Sequence, residues 1–563
     1  MEKGMDASTG FFRKNNYFNL FLLGWLVLGL LQACFSELWD DEAYYWVYSQ
    51  HLDWGYFDHP PMIALLIKMG YGIFHNELGV RLLVVVLNTL TLWVTARLLA
   101  FRDMKVFYLL VGGMGAMQVG GILAVPDAPL IFFAAVYFLV YNNFLKEQSW
   151  KNTILLGVSM ALMFYSKYHG VLLVFFTLLS NINLLKVFKF WIACILTTIL
   201  FFPHIYWQYT HNFPSLQYHL IERNASSYDI SFSLDYLAGQ LLLFGPLVGW
   251  LILYYGFRSP IQNAFERALK FCVIGVLGFF LISTFKGRVE ANWTVMLFTP
   301  VIILAHNAII RKNWSKKVLI YTLPVTLLLV LVVRVYLVWN FLPGVEIRPE
   351  VHDNKKWTAA VAERAQGRPV VFISSYQLPS KYMFYTGNLS YSLNSLYSRR
   401  NQYNYWETET QLWGKPAMVV FDPGAGIPVT DSLKTVHGVW DYYLDSAYYS
   451  YSLIQFRPAL KEIKARPGEH LNIVLQPFND YHQPILLDRA NEPVLGYGFK
   501  NKDTTLPVVK LSTTLETAML RRLVSLEVVM PEQPGKYQLK FSVFANDLPP
   551  THNSPVIPVE VSK

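Results

Sequence analysis

The chain has 563 residues, 53% of them hydrophobic and only 15% charged, with a formal net charge of +9. A soluble domain is nearer a quarter charged, so this composition excludes an ordinary soluble protein and indicates a membrane protein. The basic residues lie in short clusters between apolar runs, the pattern of loops beside a bilayer, which argues against nucleic acid as a partner.

The first apolar run, Tyr17 to Phe35, is longer than a signal-peptide core and lacks a small-x-small cleavage site; it reads as a retained signal anchor. Next comes "ELWDDEAYYWVYSQHLDWGYFDHPPMIALL", which holds Glu37, Asp40, Asp41, Glu42, Asp53 and Asp58 among many rings. "WDDEAYYWVYSQHL" predicts a helix along the membrane interface, anchored by Trp and Tyr, with the acids at its start. "GYFDHPPM" ends it, because two consecutive prolines cannot extend a helix. "IALLIKMGYGIF" predicts a second interfacial helix, so residues 37–78 form an interfacial segment.

Further apolar runs of spanning length lie near 80–101, 106–125, 128–145, 152–166, 169–184, 190–208, 236–256, 271–284, 293–310 and 318–340. With the first they predict about eleven transmembrane helices within a domain of residues 1–340. An amino terminus in the cytoplasm puts Arg102–Lys105, Lys146–Lys151, Lys186–Lys189, Arg258–Lys270 and Arg311–Lys317 inside. All are net basic, as the positive-inside rule requires. The acidic stretches after the first helix and around Glu222–Asp235 then lie outside, as does the chain beyond about 341.

That tail contains none of the three cysteines, Cys34, Cys194 and Cys272, so no internal disulfide braces it. Val370–Ile373 and Ala417–Phe421 are short apolar runs, the first followed by an amphipathic stretch, the second by the turn signal "DPGAG". They predict an extramembrane α/β domain over 341–465. Over 466–563 the pattern alternates: Tyr537, Leu539, Phe541 and Val543 interleave with Lys536, Gln538, Lys540 and Ser542. Period-two alternation predicts a β-sandwich-like module.

Carboxylates at a bilayer edge must be hydrated, paired or used. Two readings of the acidic segment stay open at this point: an amphipathic collar of solvated acids, or an active site whose acids serve as general base or metal ligand. Other polar residues fall on the same side. "VPDAPL" places Asp127 in an outer turn, where Asp is also an ordinary turn residue. "YSKYHG" places Lys167, Tyr168 and His169 in another, where a lysine can simply anchor the interface. "FKGRVEANW" puts Lys286, Arg288 and Glu290 outside, against the cytoplasmic bias for cations; such a pair suits an anionic head group. "WQYTHNFPSLQYH" adds His211, Asn212 and His219, as a polar loop or a binding element. Acids facing a cationic cradle are what transfer from a phosphate-activated donor requires.

"DDEAYYW", "GYFDHPPM", "PDAPL", "SKYHG" and the outer "KGRVEANW" together resemble the polyprenyl-phosphate-sugar-dependent glycosyltransferases of the GT-C fold. Within these the resemblance is to the bacterial family 39/83-like enzymes, relatives of protein O-mannosyltransferases and the aminoarabinose transferase of lipid A. The resemblance covers roughly residues 15–340 and, more loosely, the stretch to about 410. It implies a polytopic α-helical membrane protein that takes a sugar from a polyprenyl-phosphate donor and passes it, with inversion, to a glycolipid or protein hydroxyl. By position, Asp41 matches the catalytic base, Glu42 its companion and Asp127 the second acid, with Asp40 an extra acid beside them. His59 stands where some relatives have Lys, and with Lys167, Lys286 and Arg288 it matches the donor-phosphate contacts. Tyr44, Asp58, Tyr168 and His169 complete the candidate site. The resemblance requires no cofactor; a divalent metal at Asp41, Asp127 and His59 is compatible with it. The expected setting is the inner membrane, with the C-terminal domains outside.

Two other classes compete. A transporter or flippase of an anionic lipid or sugar would place ionisable groups at mid-span and show inverted repeats, whereas these acids and bases collect at helix ends. A membrane-anchored assembly factor acting through its β-rich end explains the tail and leaves the acidic loop without a purpose.

Overall fold

The computed structural model describes residues 16–219, 228–342, 348–488, 490–501 and 504–562. Residues 220–227 of the expected acidic outer loop therefore lie outside the described residues. The chain divides into two compact units, Met1–His352 and Asp353–Lys563.

The first unit is helical. Helix α1 (Asn16–Phe35) is followed by the two short helices read from the sequence, α2 (Asp40–Gln50) and α3 (Met62–Tyr71), separated at Pro60–Pro61. Asn76 then caps α4 (Glu77–Leu98), its side chain accepting from the Gly79 amide at 3.2 Å. Two glycines set the α3–α4 elbow. A Cβ on Gly79 would stand 1.7 Å from the Phe74 carbonyl oxygen, and one on Gly70 2.3 Å from that of Gly79.

Helices α5 (Met104–Gly113), α6 (Gly115–Gly120), α7 (Asp127–Lys146), α8 (Trp150–Ser166), α9 (Gly170–Ser180) and α10 (Phe188–Thr210) follow. Then come α11 (Ile230–Phe244), α12 (Gly249–Arg258), α13 (Ala264–Ser283), α14 (Phe298–Ile309) and α15 (Asn313–Val338). They pack around a core that includes Leu110, Phe138, Leu269 and Val301.

Against eleven expected spans, six helices among the described residues are long and apolar enough to cross a bilayer, or seven if one bent pair counts as a single span. The difference has local causes. The 106–125 run is split where Gly112, Gly113 and Gly115 cluster, giving α5 and α6. The 236–256 run breaks before Pro246 at Gly245, whose φ of 141° is open only to glycine, and α11 and α12 diverge by 96°. Runs five and six are short, 17 and 11 residues, and meet at the polar turn Lys167–His169.

The second unit opens with α16 (Asn354–Ala365), β1 (Val370–Ile373), α17 (Gln377–Thr386), β2 (Ser390–Leu393), β3 (Ala417–Phe421), β4 (Asp431–Thr435) and β5 (Gly438–Asp445). Their sheet runs β2-β1-β3-β5-β4, parallel across β2, β1 and β3 and antiparallel beyond. This is the expected α/β layer. The β-rich part holds β6 (Ile454–Pro458), β7 (Ile463–Ala465), β8 (His470–Asn479), β9 (Val494–Lys500), β10 (Val509–Thr514), the short α18 (Leu515–Met519), β11 (Val524–Val529), β12 (Gly535–Phe544) and β13 (Ile557–Val561). Sheets of order β10-β9-β12-β13-β7 and β11-β8-β6 share a core that includes Leu475, Leu526, Leu539 and Phe541.

Two boundaries move. The membrane unit ends at His352 rather than 340. The β-rich part begins before 466, because β6 pairs along β8 from Ile454↔Asn479 to Pro458↔Leu475.

Candidate active site

The three acids that open α2 occupy the turn where a helix dipole favours negative charge, yet they differ sharply in setting. Glu42 is fully buried. Its Oε1 accepts from Arg81 Nε at 2.7 Å and from the Ala124 amide at 2.9 Å; its Oε2 accepts from the Trp39 amide at 3.0 Å and from Arg81 again. Arg81 spends further donors on the Ser36 carbonyl at 2.7 Å and the Glu37 carbonyl at 2.8 Å. A carboxylate with four donors has no spare lone pair for a substrate proton. Glu42, expected as a catalytic companion, thus stands in a buried ion pair with its acceptor positions filled. Asp41, next to it, is exposed, and Asp40 is half-buried.

The Ala124–Glu42 bond matters because Ala124 lies in the turn that leads to Asp127. It ties that turn to the start of α2. Asp127 opens α7 and is itself buried, with Oδ1 accepting from Lys167 Nζ at 2.7 Å and Oδ2 from Asn292 Nδ2 at 3.1 Å. Three connections between helices thus meet on one carboxylate. His169 packs its ring 5.1 Å from both Trp293 and Phe280, fastening the same two turns a second time.

The "GYFDHPP" segment joins through aromatic and polar contacts. Tyr44, Tyr45 and Tyr48 pack together, and the Tyr48 hydroxyl donates to Asp58 Oδ1 at 2.7 Å. Burial, reinforced by Asp58, pushes the Tyr48 phenol well above its ordinary value, so it remains a proton donor. His59 lies 5.6 Å from the Tyr45 ring and 6.3 Å from His219, whose Nε2 meets the Asp58 carbonyl at 3.0 Å. Tyr168 donates to Ser215 Oγ at 2.9 Å and lies 3.0 Å from His204 Nε2, while Ser215 Oγ reaches the Phe57 carbonyl at 2.9 Å.

The remaining cations are open to solvent. Lys286 and Arg288 are both exposed, and Arg288 pairs with Glu290 at 3.6 Å. They lie in the same connection as Asn292. Lys167, expected beside them as a phosphate contact, is instead buried against Asp127. An ammonium carries three donors, so two remain beyond that ion pair.

The expected metal set is not assembled. Among the described residues no group of three or more His, Cys, Asp or Glu side chains could hold an ion, and both Asp127 oxygens are already engaged. Asp41, Asp127 and His59 do not fit a divalent metal as they stand.

Sequence reasoning missed Arg81, Asn292, His204 and Ser215. Arg81 carried a usable signal: it is a charge just inside an apolar run, which membrane burial tolerates only with a partner. Asn292 lies within a quoted motif, but nothing in the sequence links it to Asp127. A separate apolar cavity of about 140 Å³ is lined by Trp39, Val119, Val332, Tyr336 and Leu337, with Arg348 against it. The Arg348 guanidinium stands 5.5 Å from the Trp39 ring.

Six or seven candidate spans among the described residues, with a polar cluster at helix ends, define a polytopic helical membrane protein. The comparisons agree. The structure superposes on ArnT from Cupriavidus metallidurans bound to undecaprenyl phosphate with a TM-score of 0.56 at 16% identity, covering 78% of this chain and 100% of that one. The apo form of the same protein gives the same score over 77% and 98%. Residues 58–207 match the model of the dolichyl-phosphate-mannose-protein mannosyltransferases. The lipid A galacturonosyltransferase RgtD of Rhizobium johnstonii is 24% identical over 305 residues, 51% of this chain. The chain spans 64% of that relative's length. It has the ArnT-like GT-C fold.

Proposed function

We propose that this chain is an integral-membrane glycosyltransferase that moves a sugar from a polyprenyl-phosphate donor to a hydroxyl of a glycolipid acceptor of the lipid A class. The observation that carries the reading is the junction of outer turns on Asp127, bonded to Lys167 and Asn292 and tied through Ala124 to the α2 acids. The fold shared with a protein crystallised with undecaprenyl phosphate, and a relative that acts on lipid A, support donor and acceptor class respectively.

In this reading Asp41, the exposed acid, takes the proton from the acceptor hydroxyl as its oxygen attacks the anomeric carbon. The bond from that carbon to the phosphate oxygen breaks, and the electron pair leaves with the polyprenyl phosphate. Lys286, Arg288 and the remaining donors of Lys167 stabilise that charge, with His59 at the edge of the cluster. A single displacement inverts the anomeric centre. Glu42 and Arg81 hold the start of α2 so that Asp41 is aimed rather than free to wander. No step calls for a metal or other cofactor.

The basic inner loops orient the chain with its amino terminus in the cytoplasm and the site on the outer face of the inner membrane. The transporter reading gains nothing from the structure: Asp127 begins one helix and Lys167 follows the end of another.

The test is transfer by the purified chain in nanodiscs, supplied with undecaprenyl-phosphate sugars and lipid A. Asp41→Asn is expected to cut turnover by about 10²–10⁴-fold, the usual worth of a general base. Wild-type turnover by a correctly folded Asp41→Asn protein overturns the base assignment.

A further inference from the structure

Helix α15 carries a charge that the transfer chemistry does not use. The helix turns much of its apolar surface outward: Leu331, Val332, Val333 and Val335 are all exposed, as a lipid-facing span requires. Arg334 stands among them and is the only charged residue between Lys317 and the helix end at Val338. That end lies about 6 Å further along the axis, at 1.5 Å per residue.

The guanidinium bridges two neighbouring helices. Its Nη1 donates to the Leu28 carbonyl of α1 at 3.3 Å, and its Nη2 to the Gln118 carbonyl of α6 at 2.6 Å. Gln32 of α1 returns a bond, donating from Nε2 to the Arg334 carbonyl at 3.2 Å. Both acceptors of the side chain are neutral. Among the described residues no carboxylate pairs with Arg334, whereas the next arginine in the chain, Arg348, pairs with Glu350 at 3.1 Å. A guanidinium has five N–H donors, so three remain after the two carbonyls are served. A cation within a span is costly, and such a group marks a site whose partner must be sought.

The apolar cavity of about 140 Å³ lies alongside. Val332, Val333, Tyr336 and Leu337 of its wall bracket Arg334 on α15, and Val119 of its wall follows Gln118, which takes the Nη2 bond. A cation without a counter-charge beside an apolar cavity, on a lipid-facing helix, fits an amphiphile with an anionic head. We propose that Arg334 and this cavity bind an anionic phospholipid. Its phosphate accepts from the remaining guanidinium donors, and the first part of one acyl chain enters the cavity. The planar fork suits two phosphate oxygens at once. A zwitterionic lipid carries a cation that competes for the same phosphate, and a soluble phosphate ester has no chain for the cavity. The site needs neither Asp41 nor the Asp127 junction, so it stands apart from the transfer reading.

The experiment is native mass spectrometry of the full chain, purified and stripped of lipid in detergent, during titration with phosphatidylglycerol. Phosphatidylcholine, undecaprenyl phosphate and glycerol phosphate are the comparison ligands. One saturable phosphatidylglycerol adduct is expected, at least about ten-fold tighter than phosphatidylcholine, the worth of one charge-assisted contact. Arg334→Gln should abolish that margin, because its amide still donates to a carbonyl but carries no charge. Lys312→Gln, a charge removed at the other end of α15, should leave the margin intact. Where Arg334→Gln loses its fold, Arg334→Lys reads the site, since charge without the fork should narrow the margin. Equal binding of the two phospholipids, a margin unchanged in both Arg334 variants, or equal loss in Lys312→Gln overturns the proposal. Displacement by glycerol phosphate would overturn the lipid in favour of a soluble ester. A preference for undecaprenyl phosphate that Arg334→Gln removes would overturn it too, by making Arg334 part of the donor site.

Discussion

Asp41 and Glu42 are adjacent acids with opposite fates. One faces solvent, while the other is sealed by Arg81 and two backbone amides. Removing one partner of a buried pair strands a charge and costs about 3–5 kcal/mol. Arg81→Ala should therefore lower the melting temperature of the membrane unit sharply, whereas Asp41→Asn should leave it unchanged; equal melting curves for Arg81→Ala and wild type would refute the positioning role. Lys286→Ala and Arg288→Ala should each raise the donor KM by about ten-fold through a lost charge-assisted contact, with little change for the acceptor. Equal losses for both substrates would argue against phosphate binding there.

A second buried acid sets a pH dependence. Glu409 accepts from Ser450, from the Tyr481 hydroxyl and from the Ser452 amide. Burial pushes its carboxyl above the ordinary value despite those donors. The folded state then holds a proton the unfolded chain has released, so this stability is present at low pH and lost as pH rises through the raised value. The extramembrane unit should melt at a lower temperature at about pH 8 than at about pH 5, and Glu409→Gln should flatten the difference. An unchanged pH profile in the variant would show that another group is responsible.

At the scale of elements, what could be read in advance depended on whether the signal was local. The acidic start of α2, its end before Pro60–Pro61 and the alternating strand β12 follow from neighbouring residues, and all are present. The split between α5 and α6 was invisible because glycine is apolar enough to prolong a hydrophobic run while loosening the helix within it. The α3–α4 elbow shows the opposite use of glycine, as a place where backbones touch. Gly79→Ala would set a methyl group against the Phe74 carbonyl, so α4 must shift and the Arg81–Glu42 pair with it. We expect lower thermal stability and loss of transfer together; a Gly79→Ala protein with wild-type melting and turnover would contradict this account of the elbow.

Across the whole molecule, the membrane unit draws its candidate site from turns far apart in sequence, and here local reading reached its limit. Motif order was enough to nominate Asp41, Asp127, Lys167 and Arg288. It could not show that Lys167 gives one donor to Asp127, that Asn292 takes the other oxygen, or that Ala124 links this group to Glu42. Each of those bonds spans 40 residues or more. The β-rich part shows the same limit on a smaller scale, since its true start at β6 is set by pairing with β8 rather than by composition.

The most direct test asks whether these distant turns work as one device. It is a double-mutant cycle on kcat/KM for sugar transfer with Asp127→Asn, Lys167→Met and the combined variant. Groups that act as a unit are strongly non-additive, so the double variant should be about as impaired as either single one. Losses that simply multiply would mean that the two side chains serve separate purposes, and the proposed convergence of the outer turns on a single reacting centre would be wrong.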